Sequence, residues 1–167
     1  MDRKNGRILE YGSILYDEDG TQLRTTDFLI KSDRPIPPKL TEIHGIDAAM
    51  LADKPYFKEV ALLIKEELLA PNQVLMGHNV MFDLEFLYWS LNRVGIDLEP
   101  YELQYICTKN MSKTLSSLGL FDNQGSNRLE HLALNVFGVP DPGHHRSIND
   151  DLVCMGVYSK MMDLIYK

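Results

Sequence analysis

The sequence has no long apolar run and no excess of positive charge. No stretch approaches the roughly 20 apolar residues that cross a membrane, and the N-terminus MDRKNGRILE lacks the apolar core of a signal peptide. The formal net charge of -7 argues against a broad basic surface that grips long duplexes. It leaves room for an enzyme that takes one end of a strand into an acidic pocket whose charge is offset by metal ions.

Cysteine is also scarce, with 2 residues in 167. Cys107 and Cys154 lie in apolar segments without the spacing of a metal site, which favours reduced thiols. A chain of this length buries about two thirds of its unfolded surface and requires no disulfide. Its composition, 44% apolar and 25% charged, is typical of one globular domain. We therefore expect a single domain over residues 1–167 that is soluble, cytoplasmic and free of membrane contact.

The first part of the chain predicts a β-hairpin, a long loop and a helix. Two β-rich runs, at 7–16 and 21–30, are joined by DEDG, whose residues suit a hairpin turn. Proline and glycine then mark residues 32–55 as a surface loop with one or two short helical turns. Apolar side chains at helical spacing, with charges opposite, predict an amphipathic helix at 57–69.

Beyond this helix the pattern alternates between strands and helices. The predicted elements are strands at 73–79 and 102–108 and helices at 80–94, about 128–138 and 147–166. Asn79 is placed to cap the helix at 80–94, and Gly95 is placed to end it. A hairpin followed by this alternation implies an α/β sheet of mixed direction covered by helices.

The helix after GHN carries a carboxylate on its apolar side. Asp83, Leu87, Leu91 and Val94 share a face by their spacings of four, four and three. Burying an unpaired charge is costly, and two explanations remain open. Asp83 bonds first-turn amides and benefits from the helix dipole, or it faces a cleft at the carboxyl end of the preceding strand, where open α/β sheets bind ligands.

A second carboxylate begins the last helix, within GHHRSINDD at 143–151. Asp150 shares a face with the apolar residues Cys154, Val157 and Met161. Ser147 is placed to cap this helix. His145 lies just upstream, where an imidazole can approach Asp150, whereas His144 reads as an exposed loop residue.

Two inward aspartates from different helices need a cation or a proton to coexist in one cleft. Magnesium and manganese, hard ions that prefer carboxylate oxygen, are natural partners for Asp83 and Asp150. A neighbouring histidine that titrates near neutrality can take a proton from an attacking water. The pattern is consistent with hydrolysis assisted by two metal ions.

In their order and spacing these motifs resemble those of the DEDDh 3'-5' exonucleases, specifically the proofreading epsilon-subunit type of bacterial DNA polymerase III. RPIPPKLTEIHGID is similar to that family's loop before its first helix, GHNVMFD to its second exonuclease motif, and HRSIND to its third. The resemblance covers nearly all of the chain. It implies an RNase H-like fold, with an antiparallel hairpin and parallel strands covered by helices.

The resemblance also implies a catalytic site. Asp83 and Asp150 would bind metal in a site holding two magnesium or manganese ions, and His145 would act as general base. Asp151 takes a position that usually holds a small residue, so we assign it no ligand role. The implied activity is removal of nucleotides from single-stranded or frayed DNA 3' ends, in proofreading, repair or end trimming. A polymerase or another nucleic-acid-processing complex would be the partner.

Three further residues gain substrate roles by the resemblance. His44 and Phe82 would flank the terminal nucleotide, and Asn79 would help shape the cleft. The residues alone leave alternatives open, since Phe82 also suits a core position and Asn79 also suits a helix cap.

The chain departs from this family at its N-terminus. The first exonuclease motif, Asp-x-Glu, should precede RILEYG on a central strand between those predicted at 7–16 and 73–79, and we expect no other segment to replace it. Omitting that strand leaves backbone groups unpaired, at about 1 to 3 kcal/mol for each buried group. We therefore expect an upstream segment of roughly ten or more residues, with Met1 an internal methionine or a truncated start. The alternatives are a strand from another chain, or neighbours that close over the gap.

Three functions remain open on the sequence alone. The first is a metal-dependent DNA exonuclease. The second is a degenerate, non-enzymatic member that binds strands or docks proteins, as the missing Asp-x-Glu suggests. The third is an exoribonuclease, because the sequence offers no feature that senses a 2'-hydroxyl.

Overall fold

The computed structural model describes residues 3–99, 103–141 and 146–166. Within these ranges the elements, in chain order, are β1 (Glu10–Tyr16), β2 (Gln22–Leu29), α1 (Pro38–His44), α2 (Phe57–Leu68), β3 (Leu75–Gly77), α3 (Val80–Arg93), β4 (Tyr105–Cys107), α4 (Thr108–Ser117), α5 (Leu129–His131) and α6 (Ser147–Ile165). The chain continues from α5 as a π-helical segment, Leu132–Phe137. No helix in the described ranges has both the length and the apolar composition of a membrane span.

The strands form two separate sheets of two strands each. β1 pairs with β2 in antiparallel register, with Glu10 opposite Leu29. β3 pairs with β4 in parallel register, with Met76 beside Ile106. Among the described residues no strand joins β1 to β3, and these two strands do not pair with each other. The predicted α/β fold is confirmed, and β1 and β3 have not closed over the position predicted for a central strand.

Successive side chains of β1 point to opposite faces, as in any strand. Tyr11 enters a core formed with α2 and α3, whose fully buried members include Ile64 and Leu91. Gly12 faces α6 on the other side, where an added Cβ would lie 2.7 Å from Cβ of Ser147. Glycine therefore lets α6 pack directly against β1.

A second core holds α6 against α4 and the π-helical segment. Its buried members are Leu115, Leu132, Ala133, Val139, Val153, Val157 and Met161. On α6 the residues Cys154, Val157 and Met161 are all buried, as their spacing from Asp150 predicts. The helix thus has its apolar stripe inside and Asp150 at the solvent-facing start of that stripe.

One of the two capping predictions is confirmed in position, and the other is wrong. Asn79 is the N-cap residue of α3, as predicted, but its backbone is left-handed (φ 72°) and its side chain makes no capping hydrogen bond. Ser147 is the first residue of α6, and its hydroxyl has no hydrogen-bond partner among the described residues. Its backbone N–H instead donates to Glu10. The predicted stop at Gly95 is supported by that residue's left-handed φ of 78° just after α3.

α4 was not predicted from the sequence. Its sequence TKNMSKTLSS is mostly polar, and its inner face buries Thr108 and Ser112, both 0% exposed, beside Leu115. A search for apolar residues at helical spacing cannot find such a helix, since two of its core positions are hydroxyl side chains. The strands are also shorter than predicted where the described ranges cover them.

Candidate active site

Asp83 lies in the first turn of α3, just beyond the end of β3. Solvent reaches its side chain, yet protein atoms surround the carboxyl closely enough that burial raises its pKa to about 6. A hydrogen bond from its own backbone amide opposes this shift, and repulsion from Asp150 adds to it. The next residues on this side of α3, Leu87 and Leu91, are buried. Asp83 therefore lies at the solvent-facing start of this stripe, with the apolar core beneath it. Val94, the last residue predicted on the stripe, is 37% exposed.

Asp150 and Asp151 approach Asp83 from α6. Asp150 lies in the first turn of that helix and is half-buried. Burial, followed by repulsion from Asp150, Asp83 and Asp27, raises the pKa of Asp151 to about 7. The fold thus brings the two predicted carboxylates, Asp83 and Asp150, close enough to repel each other. It also places Asp151, which was predicted to have no ligand role, within the same group.

The chemistry of these side chains fits a divalent metal ion. Carboxylate oxygens are the ligands that magnesium and manganese prefer. Asp83 and Asp150 repel each other, and a bound cation would offset this repulsion. In the described part of the chain, no three or more His, Cys, Asp or Glu side chains gather closely enough to make a fuller ligand set.

Glu10 fastens the start of α6 to β1. Its carboxylate accepts hydrogen bonds from Nε of Arg146 at 2.6 Å and from the backbone N–H of Ser147 at 2.9 Å. The Glu10 side chain is 8% exposed. Burial alone would raise its pKa, but the hydrogen bonds from Arg146 and Ser147 bring the pKa below its usual value. This contact was not predicted; the only signal was an acidic residue inside the apolar run RILEYGSILY.

His44 is the last residue of α1 and lies beside this contact. Its Nδ1 accepts a hydrogen bond of 3.0 Å from the backbone N–H of Ile46, which places the proton of the neutral ring on Nε2. Within the described ranges Nε2 is buried without a hydrogen-bond partner. Burial lowers the pKa of His44; Glu10 opposes this and Arg146 adds to it. The Nε2–H group of His44 is therefore an unused hydrogen-bond donor near the start of α6.

Phe82 and Asn79 lie at the same end of α3 as Asp83. Phe82 packs on Phe86 with ring centroids 5.1 Å apart, and the Arg3 guanidinium lies 5.1 Å from its ring centre. Phe82 is half-buried and Asn79 is exposed. His145, the predicted general base, lies outside the described residues, as does His144.

The spacing Asp-x-Glu does occur twice in this chain, at 83–85 and 97–99. Glu85 forms an ion pair with Arg3. Asp97 and Glu99 are exposed in the segment after α3. Neither site places an acidic pair on a strand between β1 and β3.

A polar chain connects β3 to α6 beneath the site. The Thr108 hydroxyl lies 3.0 Å from Nδ1 of His78, 3.3 Å from the carbonyl of Gly77 and 3.4 Å from Sγ of Cys154. The His78 Nε2 donates to the carbonyl of Asn127 at 2.8 Å. Burial raises the pKa of Cys154 to about 12, so this thiol stays protonated and structural.

Comparison with known proteins gives one consistent picture. Residues 1–158 match the profile of a protein family described as Exonuclease. The chain is 32% identical over 158 residues to DNA polymerase III subunit epsilon of Treponema pallidum, covering 93% of this chain and 68% of that protein. It is 29% identical over 169 residues to the PolC-type DNA polymerase III of Thermotoga petrophila, where it spans 11% of the relative's length.

Solved structures of exonucleases share the fold. Exonuclease X in complex with 5' overhanging duplex DNA has a TM-score of 0.67 and 23% identity, covering 93% of this chain and 82% of that one. A structure of exonuclease I has a TM-score of 0.82 and 19% identity, covering 97% of this chain and 38% of that one. At these identities the likeness concerns the fold alone.

Proposed function

We propose that this chain, which belongs to the RNase T family of exonucleases as a DEDDh, epsilon-like 3'-5' exonuclease domain, hydrolyses phosphodiester bonds with the help of divalent metal ions. The observation that carries the proposal is the approach of Asp83 on α3 to Asp150 on α6. Two carboxylates that repel each other are suited to receive a cation.

Asp83 and Asp150 would hold magnesium or manganese. The bound ion would stabilise the charge that develops on the phosphoryl oxygens during hydrolysis. The exposure of Asp83 gives an ion a route from solvent. Glu10 supports this arrangement from below, because it fixes the first turn of the helix that carries Asp150.

The remaining residues of the site would bind the strand and move a proton. We assign His145 the role of general base that takes a proton from the attacking water. His44 would donate from its unpartnered Nε2 to the terminal nucleotide. Phe82 offers an aromatic ring to the terminal base, and exposed Asn79 helps shape the cleft.

The proposed substrate is the 3' end of single-stranded or frayed DNA. The net charge of -7 supports recognition of an end rather than of a long duplex. Relatives named DNA polymerase III subunit epsilon and PolC-type DNA polymerase III support DNA as substrate and a polymerase complex as the setting. We place this setting in the cytoplasm as part of the proposal. An RNA substrate is the alternative, and parallel assays with DNA and RNA oligonucleotides distinguish the two.

A site with two metal ions needs more oxygen ligands than Asp83 and Asp150 supply. The separation of the β1–β2 and β3–β4 sheets supports a place for one further strand between them. We assign this place to a strand bearing Asp-x-Glu, which would pair with β1 and β3. If no strand completes the site, the second candidate function is a degenerate member that binds strands without cutting them.

Degradation of a 5'-labelled oligonucleotide in magnesium, by a protein that carries the proposed Asp-x-Glu strand, tests the proposal. A ladder that shortens from the 3' end is expected, and Asp83→Ala or Asp150→Ala should abolish it. Asp163→Asn, at an exposed position on α6, is the matched control and should keep the activity. Binding without cleavage by the protein that carries the Asp-x-Glu strand, in magnesium and in manganese, would favour the degenerate binding module.

A further inference from the structure

A second concave site lies at the far end of α3 from Asp83. It is a cavity of about 410 Å³ between the segment before β1, the segment after β2, the start of α2 and the end of α3. Asp83 and Arg93 are ten residues apart on α3, which corresponds to about 15 Å along the helix axis. The cavity is therefore separate from the candidate active site.

The walls of this cavity are basic although the chain as a whole is acidic. Its charged lining residues are Arg7, Lys31, Lys58, Arg93 and Asp33. The one acidic lining residue, Asp33, is already paired. Its carboxylate accepts two hydrogen bonds from the Arg7 guanidinium, one of them from Nη2 at 3.0 Å.

The other three cations have no carboxylate partner among the described residues. Arg93 uses its guanidinium on the carbonyls of Lys4 and Gly6 and on the Ser90 hydroxyl. Lys58 is exposed and makes no described hydrogen bond. Three positive charges around one cavity favour an anionic ligand.

An aromatic ring stands at the rim of the same cavity. Tyr56 lines it and is 41% exposed. The Lys31 ammonium lies 5.4 Å from the centre of the Tyr56 ring. Cations combined with an accessible aromatic ring are the combination that proteins use to hold single-stranded nucleic acid, through the phosphates and through base stacking.

We propose that this cavity is a second contact point for the nucleic-acid strand, which binds a backbone phosphate through Lys58, Lys31 and Arg93 and stacks a base on Tyr56. This inference rests on the proposed function, because the strand bound at the cavity is the one whose 3' end enters the proposed active site. At 3.4 Å per stacked nucleotide, the 15 Å separation corresponds to about four or five nucleotides. A strand with its 3' end at Asp83 then reaches the cavity if it is longer than that.

Salt-dependent binding of a 5'-fluorescein-labelled dT10, measured by anisotropy in EDTA to prevent cleavage, tests the phosphate contact. The slope of log K against log salt is negative, and loss of one phosphate contact to a single strand makes it less steep by about 0.7. Lys58→Glu should reduce the magnitude of this slope by at least the same amount. Lys160→Glu makes the same charge change at an exposed position on α6 and should leave the slope near that of the wild type.

The stacking contact is tested with the same probe. Tyr56→Ala should weaken dT10 binding between about 5-fold and about 140-fold, the range for loss of one stacked base. Tyr166→Ala removes another exposed tyrosine, 81% accessible, and should change the affinity by less than the Tyr56 variant does. Thermal melting of each variant establishes that it is folded.

Equal effects of Lys58→Glu and Lys160→Glu would overturn the proposal. So would competition by poly-glutamate as strong as that by unlabelled dT10, because the cavity would then accept any polyanion. Failure of the proposed function gives a different result. Binding that depends on Lys58 and Tyr56, together with no cleavage in any divalent ion, would remove the enzymatic role and keep the strand-binding site.

Discussion

The carboxylate of Glu10 accepts a hydrogen bond of 2.6 Å from Nε of Arg146, although the two residues are 136 positions apart in the chain. Arg146 directly precedes α6, the helix that carries Asp150. The first strand of the hairpin thereby sets the position of one wall of the candidate active site.

Glu10→Ala should destabilise the protein by about 2 kcal/mol, since hydrogen bonds to charged groups contribute on the order of 1.5 to 3 kcal/mol. Urea denaturation measures the free energy of unfolding. Glu18→Ala, in the exposed hairpin turn, is the control and should stay within about 0.5 kcal/mol of the wild type. Equal stability of the two variants would mean that the contact contributes nothing.

The same contact predicts a pH dependence. The pKa of Glu10 in the folded state is below its ordinary value of 4.5, so its ionised form stabilises the fold above that pH, and this stabilisation is lost as the pH falls further. The stability difference between the wild type and Glu10→Gln should therefore be constant near neutrality and shrink below about pH 4.5. A difference that persists unchanged to pH 3 would contradict this expectation.

Gly12→Ala should destabilise the contact between β1 and α6. The added methyl group would lie 2.7 Å from Cβ of Ser147, and overpacking of this kind costs about 1 to 3 kcal/mol. The double variant Gly12→Ala/Ser147→Gly removes the clash and should recover part of the loss. A double-mutant cycle on the unfolding free energies measures this coupling, and strict additivity would show that α6 does not press on Gly12.

Asp151→Asn should stabilise the metal-free protein. Burial and three neighbouring aspartates raise the pKa of Asp151 to about 7, so its carboxylate opposes folding increasingly as the pH rises toward that value. In EDTA at pH 8 we expect a gain of about 1 to 3 kcal/mol, by analogy with removal of an unsatisfied buried group. The gain should be smaller at pH 5. A loss of stability at pH 8 would show that Asp151 makes a favourable contact.

The elements that carry the site were predictable because their apolar stripes are local patterns. The spacings Asp83–Leu87–Leu91 and Asp150–Cys154 place a carboxylate at the start of each stripe, and the buried leucines and cysteine agree with this. The two helices could therefore be identified from sequence, together with the end of each at which the carboxylate lies.

The contacts between these elements were not predictable. Glu10 bonds a residue far away in the chain, so no local pattern points to it. α4 could not be predicted from an apolar pattern, because Thr108 and Ser112 occupy core positions. Their hydroxyl groups make hydrogen bonds there, including that of Ser112 to Asn127. The position of Asn79 as N-cap of α3 was predictable, but its left-handed backbone without a capping hydrogen bond was not, because asparagine suits both conformations and only the fold selects between them.

Manganese binding to the purified chain tests most directly whether Asp83 and Asp150 form one metal site. Isothermal titration of the wild type, Asp83→Asn, Asp150→Asn and the double variant gives four affinities. We predict that each single substitution weakens binding at least about tenfold and that the double substitution adds little, because both carboxylates hold the same ion. Wild-type affinity in either single variant, or fully additive losses in the double variant, would contradict the shared site.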